Sequence, residues 1–410
     1  MLEKLGSVCD FQGGTQPPKK EWSAIKLDGY IRMLQIRDFT QPKEEFIGYV
    51  KDKATLKKCN SDDILIGRYG ASVGKILTGL SGAYNVAIIK TVPDDERLDR
   101  KYLYHFLINP RFQNFIKNIG GRAAQAGFNK TDIIDYPLYV PKKETQLHIA
   151  NILTKAERLI AQRKESIRLL DEYLKSVFLE MFGDPVRNEK SWTKNNFGNY
   201  ILRIIAGSSY GGEQKEELND DEYGVLKVSA VTWGIFNSKE FKVVKKSNLR
   251  GEIISPQKGD LLFSRANTKE LVGATCIVDK DYPKLFLPDK LWNIVLDENK
   301  LQKSFIHFLF KHPSFKMELT KGATGTSGSM LNISMEKLRK VNVPVPPLEL
   351  QTKFVQIVEK TEALKTQYQQ SLQELENLYG SLSQKAFKGE LSLKDEGLLM
   401  AAEPETKYGV

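Results

Sequence analysis

The sequence predicts an α+β protein with two tandem mixed α/β domains, each followed by a long helix. We expect the two helices to pair as an antiparallel coiled coil with pseudo-two-fold symmetry. Three observations predict this: an internal repeat, strand-like segments in each half, and a long amphipathic pattern ending each half. The repeat is clearest at Pro141 and Pro346, which lie 205 positions apart, as do Gln146 and Gln351. A duplicated unit can build a pseudo-symmetric body, which suits a nearly symmetric target such as duplex DNA.

Each half begins with patterns typical of short strands. A strand-like stretch leads into glycine at 5–14 and again at 197–207. Further along, 63–68 and 260–265 each run from an acidic turn through a short apolar strand to an arginine that enters a loop. These matched segments predict the same mixed scaffold in both halves.

A helical pattern follows the strands in both halves. Apolar residues recur at helical spacing in 102–112 and in 305–315, and Pro110 and Pro313 are expected to end or kink these runs. A small, polar, glycine-rich loop comes next in each half, at 120–127 and 321–328.

The long helices are predicted from about Glu144 to Met181 and from about Glu349 to Phe387. Their apolar residues alternate three and four positions apart, which is a heptad-like pattern. Such a stripe must be buried against another surface. The other helix of the chain is the partner we expect, although each helix could instead pack on its own domain.

These patterns divide the chain into five segments. We expect globular domains at 1–141 and 186–345, long helices within 142–185 and 346–392, and a C-terminal tail at 393–410. Both globular domains have the ordinary size of an independently folding unit.

Composition favours a polyanionic partner. The formal net charge is +10 and the sequence pI is about 9.1, which favours nucleic acid, although such charge also serves solubility. The three cysteines are scattered, as expected for free thiols in a reducing cytoplasm. The four histidines show no metal-ligand spacing, and no apolar run approaches the roughly 20 residues of a membrane span.

Catalytic motifs are poorly represented. The segment 70–75 resembles a phosphate-binding loop, but its spacing is short, and Ile76 stands where Ser or Thr would hold magnesium. No GxGxxG follows a strand, and 109–112 lacks the second proline of an amino-methyltransferase loop. We therefore expect no enzyme activity, metal site or cofactor in this chain.

The loops after the two arginine-ending strands are the predicted DNA-reading surface. Arginine can pair with guanine, asparagine with adenine, and lysine or serine with phosphate. Each arginine could instead cap or ion-pair within its own domain, and Trp22 and Trp233 could either stack on bases or pack in a core. Together with the glycine-rich loops and two lysines near the start, the candidates are Lys19, Lys20, Arg68, Tyr69, Ser72, Lys75, Arg122 and Gln125 in the first half, and Arg265, Asn267, Thr268, Lys269, Lys321, Thr324 and Thr326 in the second.

In this order the motifs resemble the specificity subunit of a type I restriction–modification system. The resemblance covers nearly the whole chain and includes the proline-rich entries to the helices at 140–146 and 345–351. The family usually has Glu-Gln there, whereas this chain has Thr145-Gln146 and Leu350-Gln351.

The resemblance implies a DNA-reading subunit without catalysis of its own. Each domain would read one half of a bipartite double-stranded DNA target, and the helices would set the spacer and dock methyltransferase subunits, two of them in our expectation. Motor–nuclease subunits would join the complex. The resemblance places adenosylmethionine, ATP and magnesium in those partners.

Two other classes of function remain open from sequence. The chain could be a helical scaffold that binds proteins, or a stand-alone DNA-modifying enzyme whose motifs have diverged. A variant of the leading hypothesis is a silent specificity cassette that keeps the fold without activity.

Overall fold

The computed structural model describes residues 1–120, 127–321, 323–324 and 330–391. The chain forms two compact units. Unit 1 comprises Met1–Glu165 and Gln369–Val410, and unit 2 comprises Ser166–Tyr368. Each unit therefore contains a globular part together with a section of both long helices. Within the described residues, none of the helices has both the length and the apolar content that a bilayer crossing requires.

The globular part of unit 1 combines short strands with short helices. Its strands are β1 Leu2–Lys4, β2 Cys9–Gly13, β3 Trp22–Ser23, β4 Tyr30–Leu34, β5 Gly48–Lys51, β6 Lys58–Cys59, β7 Leu65–Gly67, β8 Ile76–Leu77, β9 Gly82–Tyr84, β10 Ile88–Pro93 and β11 Pro137–Tyr139. Its helices are α1 Ile36–Thr40, α2 Arg100–Ile108, α3 Pro110–Gly120 and α4 Lys130–Ile133, and the first long helix is α5 Lys143–Phe182.

Unit 2 repeats this plan. Its strands are β12 Lys194–Asn196, β13 Ile201–Ala206, β14 Glu222–Leu226, β15 Phe241–Lys245, β16 Leu261–Ser264, β17 Ala266–Asn267, β18 Thr275–Ile277, β19 Leu285–Phe286, β20 Leu291–Leu296, β21 Leu331–Asn332 and β22 Asn342–Pro344. Its helices are α6 Lys303–Lys311, α7 Pro313–Lys321 and α8 Met335–Lys340, and the second long helix is α9 Leu348–Lys388.

The sheets of the two units have matching topology. The order β2-β10-β7-β8 in unit 1 corresponds to β13-β20-β16-β18 in unit 2. The order β5-β4-β9 corresponds to β15-β14-β19, and in each of these sheets the last pair is parallel. The repeat seen in the sequence is therefore a repeat of strand order as well.

In each half, the segment that was predicted to be a strand leading into glycine is partly helical instead. Residues Leu5–Ser7 and Phe197–Tyr200 form short 3-10 turns, and the strands that run on toward the glycines, β2 and β13, begin after them. Each turn contains a glycine packed tightly against a neighbour: a Cβ on Gly6 would lie 2.7 Å from the Cβ of Ile134, and one on Gly198 would lie 2.9 Å from that of Arg339. This close approach, which only glycine allows, favours the tight turn over an extended strand.

Both helical runs break at proline, as predicted. Helix α2 ends before Pro110, which starts α3, and α6 ends shortly before Pro313, which starts α7. Proline fits the first position of a helix because its missing N–H has no partner there.

In unit 1 the two long helices run antiparallel. A hydrogen bond joins Glu157 of α5 to Tyr379 of α9, and Lys164 lies 2.7 Å from Glu376. From the first of these contacts to the second, the residue number rises in α5 and falls in α9, as antiparallel helices require. Leu375 and Leu382 of α9 join the same core as Ile152 and residues of α2. Helix α5 therefore packs on the globular part and on α9, so both packing alternatives hold within this unit.

Unit 2 shows the same antiparallel pairing. Lys365 of α9 is 6% exposed, and its Nζ lies 2.5 Å from Asp171 of α5. The ring of Phe178 in α5 lies 5.6 Å from that of Phe354 in α9. Phe354 is fully buried and packs with Phe305 of α6 in a shared core.

A buried glutamine joins each long helix to its globular part. Gln146 accepts a hydrogen bond from the N–H of Asp99 (2.8 Å), and its amide donates to the carbonyls of Arg97 and Pro141. Asp99 is the residue that caps the start of α2. Because Gln146 is 0% exposed, these bonds satisfy backbone groups that water cannot reach.

Gln351 makes the equivalent connection in unit 2. Its Oε1 accepts from the N–H of Gln302 (2.9 Å), the residue before α6, and its amide donates to the carbonyls of Lys300 and Pro346. It too is 0% exposed. The spacing Pro-x-x-x-x-Gln, which marks the repeat in the sequence, brings the proline carbonyl within hydrogen-bonding distance of the glutamine amide.

We predict that Gln351→Ala lowers the free energy of unfolding by roughly 2–4 kcal/mol, because buried donors and acceptors lose their partners. Gln146→Ala should have a similar effect through unit 1. Denaturant unfolding measures both. The matched control is Gln373→Ala, since Gln373 is exposed and bonds Asn377 on the same helix. Equal stability of all three variants would contradict this role.

Each unit also buries a histidine, on α2 in unit 1 and on α6 in unit 2. In unit 2, His307 lies with a ring nitrogen 3.0 Å from the hydroxyl of Thr275, and burial lowers its pKa to about 3. In unit 1, His105 contacts Thr154, and burial lowers its pKa to about 4. Both imidazoles are therefore neutral in the folded chain at neutral pH.

The low histidine pKa predicts a pH dependence of stability. Below the ordinary value of 6.5 the unfolded state takes up a proton that the folded state does not, so stability falls as the pH drops from about 6.5 toward 3. His307→Gln should reduce the slope of unfolding free energy against pH in this range, whatever its effect at pH 7. Identical slopes for the two proteins would refute the assignment.

Candidate nucleic-acid interface

A hairpin in each unit carries the predicted arginine. In unit 1, β7 and β8 pair antiparallel, and the N–H of Gly67 donates to the carbonyl of Lys75 at 2.9 Å. Gly74 closes the loop with φ of +80°, and a Cβ there would lie 2.7 Å from Ile116 of α3. Both the left-handed backbone and the close packing require glycine. The loop 68–73 is thus held between two fixed ends.

Unit 2 repeats this hairpin with β16 and β18. The N–H of Ser264 donates to Ala274 (2.8 Å), and that of Gly273 donates back to Ser264 (2.8 Å). Gly273 has φ of +79° and packs against Leu319 of α7. The loop between the fixed ends, 265–272, is two residues longer than the loop 68–73. Identical hairpin closures therefore carry loops of different length and sequence.

The arginine of unit 1 is largely engaged by its own unit. Its guanidinium donates to the carbonyls of Phe128 and Val86 and to Oδ1 of Asn129 (2.7 Å). It also lies over the ring of Tyr69. For Arg68 the geometry thus supports the capping alternative, and the side chain positions the segment that follows the glycine-rich loop.

The arginine of unit 2 has fewer internal partners. Arg265 stacks over the ring of Trp292 at 5.7 Å, and its nearest carboxylate oxygen, on Asp289, is 3.9 Å away. Its Nε is buried and has no hydrogen-bond partner in the part of the chain that the structure describes. Stacking fixes the plane of the guanidinium, and the side chain remains 32% exposed.

The glycine-rich loops end beside these hairpins, as a DNA-reading surface requires. Gly127 forms a β-bridge with Tyr69, and the N–H of Phe128 donates to the carbonyl of Arg68. In unit 2, β17 pairs with β21, and the N–H of Ile333 donates to the carbonyl of Arg265 at 2.9 Å. Each unit therefore brings together two segments that are far apart in sequence.

Most described candidates are accessible to a ligand. Tyr69 is 41% exposed, and Ser72 and Thr268 are half-buried. Thr324 is exposed and forms a bridge with Asn332, and Lys321 pairs with Glu318 on its own helix. The candidates that are exposed lysines are Lys19, Lys20, Lys75, Lys269 and Lys321. Arg122, Gln125 and Thr326 lie outside the described residues.

The prediction that Asn267 offers its amide in a loop disagrees with the structure. Asn267 belongs to β17 and is 9% exposed. Its Oδ1 accepts from the N–H of Thr268 (2.9 Å), and its amide approaches the hydroxyl of Thr232. Because this side chain is buried and bonds Thr232 and the N–H of Thr268, Asn267 organises the loop rather than presenting a base-reading amide.

Sequence reasoning missed Asn129, which orients Arg68. Asn129 starts α4 in a capping box with Asp132. The spacing of an Asn and an Asp three residues later is a known helix-start signal, so the cap was predictable. Its second task, holding the arginine of a distant loop, had no local signal.

Two other kinds of site, a metal site and a phosphate-binding loop, can be compared with the residues that the structure describes. No group of His, Cys, Asp and Glu suited to a metal ion occurs among the residues described. The segment that resembles a phosphate loop forms a 3-10 turn at Gly70–Ser72 and continues into β8 rather than a helix. A phosphate loop instead leads directly into a helix N-terminus.

The chain is similar in sequence to several known proteins. The chain is 25% identical over 426 residues to the Type I restriction enzyme EcoKI specificity subunit of Escherichia coli K12, covering 96% of this chain and 89% of that protein. It is 22% identical to the MjaVIII specificity subunit of Methanocaldococcus jannaschii, over 81% of this chain and 84% of the relative. A match to the EcoEI subunit of Escherichia coli is 29% identical but spans 28% of that protein.

Solved structures support the fold. The S subunit of a type I restriction-modification system from M. genitalium superposes with a TM-score of 0.56 at 14% identity, covering 94% of this chain and 96% of that one. A chain from a type I R-M system structure gives 0.52 at 18% identity, with coverage of 95% and 98%. The predicted fold class of two tandem mixed domains with long helices is confirmed.

The family model described as "Type I restriction modification DNA specificity domain" matches twice, at residues 2–169 and 209–377. The two matches follow the two repeats and together cover most of the chain. The related specificity subunits are non-catalytic, and the catalytic activities of their complexes belong to partner subunits, which confirms the expectation that this chain is not an enzyme. The chain belongs to the type I restriction–modification DNA specificity domain family.

Proposed function

We propose that this chain selects the DNA target of a type I restriction–modification complex by reading a bipartite sequence, one half-site per unit. The observation that carries the proposal is the pair of hairpins closed by the same backbone bonds at 67–74 and 264–273 but carrying different loops. Equal scaffolds with unlike contact residues are what two independent readers of different base sequences require.

The long helices are the proposed docking site for methyltransferase subunits, two per chain in our expectation. In unit 2, Leu169, Tyr173 and Leu179 of α5 are 40–50% exposed, although the same helix buries Leu174 and Phe178. Exposed apolar side chains on a helix whose other face is packed are typical of a partner surface. Motor–nuclease subunits would join through this complex.

Cofactor chemistry belongs to the partners in this proposal. Adenosylmethionine would bind the methyltransferase subunits, and ATP and magnesium the motor–nuclease subunits. The chain would act in the cytoplasm on double-stranded DNA, and its own contribution would be recognition alone.

Methylome sequencing of the source cell, with and without this chain, tests the function. The expected result is loss of one bipartite methylated-adenine motif when the chain is removed. An unchanged methylome, together with no binding of the purified chain to pooled duplexes, would favour the protein-binding scaffold. Methylation by the purified chain alone would favour a stand-alone enzyme.

We predict that Arg265→Ala weakens recognition at one half-site only, by about 1–3 kcal/mol, because its side chain is 32% exposed beside the loop and has fewer partners in its own unit than Arg68 has. Arg68→Ala should act mainly on stability, because that side chain holds Val86, Phe128 and Asn129. Affinities for duplexes altered in either half-site measure the difference. The control is Arg187→Ala, an exposed arginine whose nearest acid, Glu189, is 3.7 Å away. Equal losses at both half-sites would contradict modular reading.

Binding should also depend strongly on salt. If each unit contacts even two phosphates, counterion release predicts an affinity drop of roughly 100-fold between about 50 and 200 mM salt. Fluorescence anisotropy with a duplex carrying the methylated motif measures the slope. A flat response would mean that the net charge of +10 is not used on DNA.

A further inference from the structure

A tight turn in unit 2 displays two large apolar side chains to solvent. Trp233 is 76% exposed and Ile235 is 58% exposed. Full exposure of a tryptophan is unfavourable in water, so such a side chain needs an external partner to be buried. The chain's other tryptophans are already engaged: Trp292 is 2% exposed, and the indole N–H groups of Trp22 and Trp192 donate to the carbonyls of Pro17 and Phe182.

The turn is held rigidly at its base. The N–H of Asn237 donates to the carbonyl of Ala230 (2.9 Å), which closes the turn. Val231 on one side is 0% exposed, and Phe236 on the other is 9% exposed, so both anchor in the core. Gly234 at the tip has φ of +76°, a conformation that glycine adopts without strain. Trp233 is thus presented on a fixed support, which lowers the entropy lost on binding.

The turn lies beside the candidate nucleic-acid interface of the same unit. The hydroxyl of Thr232 is 3.5 Å from the amide of Asn267, the residue that organises the Arg265 loop. On its other side, Gly234 packs against the side chain of Lys311, and a Cβ there would lie 3.0 Å from the Lys311 Nζ. The turn therefore lies between the strand that follows Arg265 and the side chain of Lys311.

This setting favours a nucleic-acid base as the occupant over an apolar protein surface. A protein partner that buried Trp233 would also have to desolvate the neighbouring cations, whereas a duplex pairs them with phosphates. Aromatic side chains stack on bases of any sequence, and apolar side chains inserted between base steps bend DNA. The contact between Thr232 and Asn267 makes the turn continuous with the Arg265 hairpin, which favours the same half-site as the partner of the ring.

We propose that Trp233 stacks on, or inserts between, bases of duplex DNA next to the half-site that unit 2 reads. The inference rests on the proposed function and adds a contact that is shape-dependent rather than base-specific. Unit 1 lacks the equivalent: Trp233 lies seven residues after the end of β14, and the residue seven after the end of β4 is Gln41. The two half-sites should therefore differ in the distortion that they undergo.

The test uses the full chain and a duplex carrying the bipartite motif found by methylome sequencing. Acrylamide quenching reports the accessibility of tryptophan, and the difference between wild type and Trp233→Phe isolates the signal of Trp233. We expect that signal to be open to acrylamide in the free chain and protected on addition of duplex. Trp233→Ala should bind the duplex roughly 5- to 100-fold more weakly, and Trp233→Phe should retain most of the affinity.

A matched control and three outcomes make the result decisive. Leu202→Ala removes another apolar side chain of unit 2, one that is 62% exposed, and should leave affinity unchanged. If the chain binds the duplex with half-site specificity while Trp233 stays accessible, the inference fails and the proposed function stands. Protection of Trp233 by a methyltransferase subunit without DNA would also overturn it. If the wild-type chain binds no duplex, both are overturned.

Discussion

The buried glutamine at the start of each long helix is the interaction on which the arrangement of each unit depends. Gln146 and Gln351 are fully buried, and each bonds the backbone just before a short helix and the proline carbonyl at the entry of its own long helix. One side chain thereby fixes where the long helix leaves the globular part. The helices α2 and α6 reach the apolar face of the long helices only if that departure point is fixed. The same helices are followed by α3 and α7, against which the glycines that close the reading hairpins are packed.

The hairpins that carry Arg68 and Arg265 show how one scaffold can support two different surfaces. Backbone bonds and a glycine with positive φ close both of them, so the strands do not depend on the residues within the loops. Inside the loops, Arg68 is bonded to three groups of its own unit, whereas Arg265 stacks on Trp292 and keeps an unpaired Nε. The same position is thus hydrogen-bonded within its own unit in unit 1 and stacked on an aromatic ring in unit 2. We infer that recognition in unit 2 depends on Arg265 and Trp233 together, whereas unit 1 must read DNA with other loop residues.

Local patterns in the sequence predicted the long helices, the break at each proline and the short strands that lead to Arg68 and Arg265. The structure has α5 at Lys143–Phe182 and α9 at Leu348–Lys388, close to the predicted limits, because heptad spacing and a following glycine are strong local signals. The contacts of single side chains were not predictable in this way. Asn267 was wrongly placed in an open loop because it belongs to β17, whose partner strand β21 lies more than 60 residues later. Arg68 owes its partners to Phe128 and Asn129, which no local spacing connects to it. The exposure of Trp233 likewise depends on which neighbours of the turn are buried.

The central claim is that each unit reads its own part of one DNA target. Hydroxyl-radical footprinting of the full chain on a duplex with the methylated motif tests it most directly. The account predicts two protected tracts separated by an accessible spacer, with the tract of one half-site alone lost in Arg265→Ala. A single continuous tract, or loss of protection at both half-sites in that variant, would contradict it.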